Sequence, residues 1–406
     1  MEFVIEKLVY GGAGLGRKEG KVYFVPFVIP GERVEVEVLR EKKEYGEAKV
    51  LRVIEPSEKR IEPRCPLFTR CGGCDYQHMD YSLELEWKKR IVEETLLRIG
   101  KIEIEVPPIN PGREYGYRNK VEWVVENGRV GYHERRGRKI IPVERCELLE
   151  EEINKVIPEG VPEEVKRITI RSSGKEILFI CDGYMSSNFT RWAEELPGNV
   201  ILLEQGKMRY RKGSPFLEME LLGKRFQVSM SSFFQVNREK AEELFKTAIE
   251  WLEPEEDERI VDAYCGVGVL SVLISGMCGS VYGIEKDRFA VVDARENVRR
   301  HGAMNVIVMR GDAGRGMRGL RQVKKVFLDP PREGLSSEVF DAISYLSPSV
   351  LVYTSCNPST FARDVKKLYE TGYRLDKIKA IDMFPRTHHI EVIGRFVRQD
   401  VDNLDF

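Results

Sequence analysis

The 406-residue chain has almost no net charge, with 65 Lys and Arg against 66 Asp and Glu. A uniformly basic surface is thereby excluded, so any nucleic-acid site must be a local patch. No apolar run is long enough to span a bilayer. The longest, Val267 to Cys278, is interrupted by glycine and serine and reads as a buried helix. The opening residues, Met1 to Glu6, carry neither the basic region nor the apolar stretch of a secretory signal. A cytoplasmic protein is expected. Glutamine occurs only six times while charged residues reach 32%, a bias shared with hyperthermophile proteins. Cysteine is limited to eight residues. In a reducing compartment these point to metal binding or catalysis before disulfides. A Cys181–Cys278 bridge is the one disulfide left open.

Two phosphate-binding signatures are also missing. The glycine-rich stretch Gly11 to Gly16 is followed by no helical pattern, which excludes a P-loop and leaves turn geometry. No G-x-G-x-x-G stands at the first strand-to-helix turn, where it would bind phosphate, so a nucleoside-type cofactor fits better than a dinucleotide.

Residues 1–56 alternate in period two along Val22–Phe27 and Arg33–Val38, with a Pro30-Gly31 turn between them. Such strands close naturally into a small β-barrel. Residues 57–232 hold three close cysteines, a helix expected over Ser82–Ile99, and then a strand-rich region. Within it Asn127-Gly128 marks a hairpin. The basic turn Arg135 to Lys139 is a candidate RNA contact or a solvated loop. Residues 233–406 change to alternating helices and strands, the pattern of a doubly wound α/β sheet. Its last two strands flank the Pro385–His389 turn, and the strand from Glu391 is expected to run antiparallel.

In that region Asp262 to Gly268 ends a strand and opens a helix, and its glycines allow close approach of a ligand. Glu285, at the end of the next strand, is placed to accept hydrogen bonds from a ribose. Asp312, after the third strand, is placed to reach an adenine edge. Asp329-Pro330-Pro331-Arg332 and Ser355-Cys356-Asn357-Pro358 follow the fourth and fifth strands, at the carboxyl edge where open α/β sheets bind ligands. Antiparallel pairing of the final strand would bring Glu391 to the same edge. Cys65, Cys71 and Cys74, with the remote Cys146, suit a 4Fe-4S cluster. Tetrahedral zinc is the alternative.

Taken together these motifs resemble the RNA uracil-C5 methyltransferase family, over nearly the whole chain. The resemblance implies a TRAM barrel at 1–56, a β-rich central iron–sulfur domain at 57–232 and a class I methyltransferase domain at 233–406. Phe233 to Asn237 matches the family's F-x-Q-x-N segment, in which Gln235 would contact S-adenosylmethionine together with Tyr264, Glu285, Asp312 and Asp329. Cys356 would be the nucleophile, His388 to Glu391 the segment holding the base, and Cys65, Cys71, Cys74 and Cys146 the 4Fe-4S ligands. Uracil C5 is a poor nucleophile, and a thiolate adding to C6 activates it. The C5 proton must then be removed, which is the task expected of Glu391. The helix starting at Pro358 is expected to lower the Cys356 pKa. Phe234 or Tyr264 is expected to line the pocket of a flipped uridine. An archaeal hyperthermophile member is implied, monomeric, acting on RNA and favouring tRNA uridine 54 over rRNA. Rival readings are an amino-group or cytosine-C5 methyltransferase, or a non-catalytic iron–sulfur RNA-binding protein.

Overall fold

A computed structural model of the chain describes residues 1–399. At the N-terminus Glu2–Leu8, Ala13–Lys18, Lys21–Pro26, Arg33–Glu41 and Tyr45–Glu55 form a closed barrel, with the fifth strand between the third and fourth. Period-two burial fills it: Phe3, Ile5, Val25, Val34, Val36 and Ala48 point inward. The glycine stretch divides its work. Gly11 and Gly12, at φ +102° and +89°, make the turn. Gly14 and Gly16 lie in the second strand, where a Cβ would come within 2.4 Å of Val28 and Phe3.

The three close cysteines occupy loops before a helix at Tyr81–Thr95, whose N-cap Asp80 accepts the Ser82 N–H at 3.0 Å. The helix ends four residues short of the sequence expectation (95 against 99) and continues as a π turn at Leu96–Gly100. Gly100 there packs close to the Ala362 carbonyl. A mixed seven-stranded sheet follows, ordered Lys207–Lys212, Asn199–Glu204, Ile177–Gly183, Val165–Ser172, Lys120–Glu126, Arg129–His133 and Ile140–Pro142. The expected hairpin is present. Asn127 and Gly128 both take positive φ, +52° and +73°, as its two-residue turn requires. Cys181 and Cys278 are free thiols buried in separate hydrophobic clusters, so no bridge joins them.

The C-terminal sheet has the order Val306–Arg310, Ser280–Glu285, Arg259–Ala263, Lys325–Leu328, Val350–Ser355, Glu391–Arg398, Tyr373–Ile381. Its five central pairings from Val306–Arg310 to Glu391–Arg398 are parallel until the last, which is antiparallel. The strand Tyr373–Ile381 therefore ends at the carboxyl edge, and Glu391 starts there, paired with Ile381. This is the doubly wound sheet with one reversed strand expected from the sequence, and it is the class I methyltransferase fold. Among the described residues no helix is long and apolar enough to cross a membrane.

Candidate active site

The cofactor end of the sheet is built around Glu285. Its carboxylate accepts the Gly266 N–H at 3.0 Å and the Asp287 N–H at 2.7 Å, while its carbonyl accepts the Gly311 N–H at 2.9 Å. One residue thereby ties together the loops after the first, second and third strands. Tyr264 holds φ +64° directly after the first strand, a conformation unusual for a residue with a Cβ. Beside it Gly266 faces open space, and Gly268 lets the loop pack on Ala294, where a Cβ would sit at 3.3 Å. Asp262 anchors the following helix by accepting the Ser271 N–H and hydroxyl at 3.0 and 2.6 Å. Asp312 caps a short helix through the Arg315 N–H at 3.1 Å, so its carboxylate already has a structural task.

Gln235 sits half-buried just before the helix Arg238–Leu252. Its carbonyl accepts from the Asn119 side chain at 3.1 Å, which fixes this segment on the central sheet. Asn237 caps the helix and donates to the Met383 carbonyl at 3.2 Å. Contrary to expectation, Phe234 is buried in the hydrophobic core at 6% exposure, while Phe233 is the open ring at 62%. The F-x-Q pattern alone does not tell which of two adjacent aromatics turns outward. Tyr264 is half-buried against the core and remains available to a ligand.

The second half of the site gathers Cys356, Asp329, Glu391 and Arg332. Asp329 accepts a hydrogen bond from the Thr354 hydroxyl at 2.7 Å, and burial pushes its pKa up to about 6. Glu391 is buried, and desolvation with the nearby Asp329 charge raises it well above the ordinary carboxylate range, against the pull of Arg332. Cys356 is half-buried. Burial first, then Glu391 and Asp329, push its thiol up to about 11, while Arg332 opposes them by charge and a hydrogen bond. This corrects the expected lowering. The helix Pro358–Glu370 does begin beside the cysteine, but Asn357 caps it by accepting the Ser359 N–H at 3.0 Å. The helix end is then occupied, and loss of water around the sulfur dominates.

The segment leading to Glu391 is tethered by buried charges. Lys88 is fully buried between Asp382 at 2.6 Å and Glu84 at 2.8 Å, and Tyr81 donates to Asp382 at 2.8 Å. Arg386 donates its N–H to Glu84 at 2.8 Å and its guanidinium to the Met79 carbonyl at 2.8 Å. His388 donates its backbone N–H to Asp75 at 3.0 Å and places ring Nδ1 2.7 Å from the same oxygen. Arg135 bonds the other Asp75 oxygen at 2.7 Å and lies over the Phe27 ring. Of the basic turn, Arg135 is therefore drawn inward, while Arg136, Arg138 and Lys139 stay exposed. Sequence reading missed Asp75 and gave Arg332 no role beyond its place in the Asp329 to Arg332 motif.

Cys65, Cys71, Cys74 and Cys146 lie within electrostatic range of one another, each thiol raised by burial. The Gly73 N–H points to the Cys71 sulfur at 3.4 Å, and the Tyr132 hydroxyl to that of Cys146 at 4.0 Å. Among the described residues no three His, Cys, Asp or Glu side chains are gathered as a metal-ion site.

With this geometry in hand, comparison with known proteins is direct. The tRNA (uracil-5-)-methyltransferase family model matches residues 217–399, and the TRAM domain model matches residues 2–51. An RNA methyltransferase of Halalkalibacterium halodurans is 33% identical over 97% of this chain and 96% of its own. One from Aquifex aeolicus is 34% identical over 97% of each. Among solved structures, the Pyrococcus abyssi tRNA (uracil-54, C5)-methyltransferase in complex with S-adenosyl-L-homocysteine aligns with a TM-score of 0.77. It is 26% identical and covers 98% of this chain and 100% of that one. Fold, barrel and sequence agree, and the chain belongs to the tRNA (uracil-5-)-methyltransferase family: it is an S-adenosylmethionine-dependent RNA methyltransferase acting on uracil C5.

Proposed function

We propose that methyl transfer proceeds through a covalent bond from Cys356 to uracil C6, with Glu391 as general base. The observation that carries this reading is the convergence of Cys356, Asp329, Glu391 and Arg332 from separate strand ends onto one edge of the sheet. The Cys356 thiolate adds to C6, and the electron pair moves toward O4, making C5 nucleophilic. Arg332 stabilises the thiolate. Asp329, which holds a proton readily, hydrogen-bonds the uracil edge as charge grows at O4. S-adenosylmethionine supplies the methyl group as an electrophile. Glu391 then takes the C5 proton, and the C6–S bond breaks to restore the thiolate. Gln235, Tyr264, Glu285, Asp312 and Asp329 are the proposed cofactor contacts. RNA carrying 5-fluorouridine tests the scheme, because fluorine leaves no proton for Glu391 to remove. A stable protein–RNA adduct lost in Cys356→Ala is expected. Methylation by Cys356→Ala would refute it.

The proposed target is uridine 54 of tRNA, flipped from its stack to reach Cys356. Support comes from the P. abyssi enzyme, whose named substrate is that position and which aligns along the full chain. Mass-spectrometric mapping of methylated tRNA and rRNA decides between the two. Working units 1–56, 57–232 and 233–406, a monomer and a cytoplasmic location complete the reading.

Cys65, Cys71, Cys74 and Cys146 are proposed to hold a 4Fe-4S cluster. An all-sulfur donor set, N–H and O–H groups aimed at two of the sulfurs, and half-buried positions all fit such a group. Binding would draw the thiols together and displace their protons. Its contribution would be to order the Cys71–Asp75 loop that meets His388. Protein purified without oxygen should be brown and contain iron and sulfide. A colourless protein with one zinc would overturn the assignment.

A further inference from the structure

We propose that Tyr10, carried by the N-terminal barrel, is a positioning residue of the catalytic centre. The inference rests on the reading of Cys356 as the nucleophile. Tyr10 stands in the turn after the first barrel strand, and its hydroxyl donates to the Cys356 carbonyl at 3.3 Å across 346 residues of sequence. Its ring meets that of His388 edge-on, with centroids 5.9 Å apart at 78°. The same turn is seated by Gly12, where a Cβ would come within 3.0 Å of the Asp75 carboxyl carbon. Asp75 in turn holds His388 by ring and backbone. One turn of the barrel thus touches both segments of the proposed chemistry, the nucleophile's backbone and the strand lead-in to Glu391.

The local geometry explains why a single hydroxyl matters. Cys356 is the junction between the strand ending at Ser355 and the helix starting at Pro358. Its peptide belongs to neither ladder, because sheet pairing stops at Ser355 with Val392. A donor on its carbonyl fixes the orientation of that peptide, and with it the direction of the Cα–Cβ bond that aims the sulfur. Attack on C6 demands tight alignment, so small errors in aim reduce turnover without changing how RNA is held. Tyr10 also lines a cleft of about 820 Å³ between the barrel and the helices Tyr81–Thr95 and Pro358–Glu370, with Lys7, Arg17, Phe24, Tyr45 and Ser359 on its walls. Seating the barrel therefore completes the aim of the nucleophile.

Tyr10→Phe in the full-length enzyme removes one oxygen and keeps the ring on His388. It should lower kcat about three- to tenfold, as for loss of one hydrogen bond. KM for RNA should stay within about twofold, since ground-state binding is untouched. Adduct formation with 5-fluorouridine RNA should slow by the same factor as kcat. Variant and parent are compared at a temperature where thermal melts show each fully folded. An unchanged kcat, or a loss confined to KM, overturns the proposal; the latter would make Tyr10 an RNA contact instead. Should the parent itself form no adduct, the reading of Cys356 falls. If the parent forms it and Tyr10→Phe matches its rate, this inference alone falls.

Discussion

Two pairs of buried acids, each with one member on the segment from Asp382 to Glu391, are treated oppositely. Glu84 and Asp382 surround Lys88, with Arg386 and Tyr81 completing their hydrogen bonds. Asp329 and Glu391 face each other and Cys356, with Thr354 and Arg332 as their support. Around Lys88 burial works against the ammonium, but Asp382 and Glu84 hold its proton on and raise its pKa, so there the acids win over desolvation, although burial raises Glu84 as well. In the second pair desolvation wins, raising Asp329 to about 6 and Glu391 well above the ordinary carboxylate range. Matched charge fixes a chain path, whereas unmatched charge stores the capacity to move a proton.

The sharpest break of this contrast lies at the sulfur between the unmatched acids. Cys356→Ala should lose at least about 10³-fold in methylation rate, since nothing else can activate C5. Thermal melting should barely change. Radiolabelled methyl transfer checks the first, calorimetry the second. Glu391→Gln should cost about 10²- to 10⁴-fold in turnover, while trapping the RNA on Cys356 as a denaturation-resistant complex on gels. No trapped complex would assign proton removal to another group.

On the matched side, Lys88→Ala leaves two carboxylates buried without their cation and should destabilise by about 3–5 kcal/mol, read by denaturant unfolding. A smaller loss would mean that water enters the cluster. Between the two sides stands pH. Burial raises both Cys356 and Glu391, and both act in their deprotonated forms, so kcat/KM should climb from pH 6 to pH 9. A flat profile would place the proton step elsewhere.

The smallest expected effect concerns stability. The folded-state pKa of Glu391 is raised, so its contribution is full below the unfolded value of about 4. It is lost as pH rises through the folded value. Glu391→Gln should therefore melt no lower than the parent at pH 8, with the difference shrinking toward pH 5. A variant that melts lower at pH 8 would mean that Glu391 is paired after all.

Much of the sheet was legible in the sequence because strand ends in a doubly wound fold share one edge. Asp329, Cys356 and Glu391 could be brought together from strand order alone, and the Asn127-Gly128 turn from backbone preference. Other features were not. The Cys356 pKa depends on water lost to packing, which a motif does not encode, and a helix start nearby suggested the wrong sign. Which of Phe233 and Phe234 faces out depends on one residue of register. Asp75 meets His388 across 313 residues, and neither residue type announces the contact. Tyr10 lay inside a glycine turn whose composition speaks only of φ angles.

The reversed final strand leaves a further mark. Every parallel strand delivers its last residue to the site, so the loop beyond it is free to lengthen toward RNA. Glu391 is instead the first residue of its strand, reached through the nine residues 382–390 that follow Ile381. Any insertion there would be pushed against Lys88, Asp75 or the base itself. This connection is locked in length, and variation between relatives should accumulate in every other loop of that edge before it touches this one.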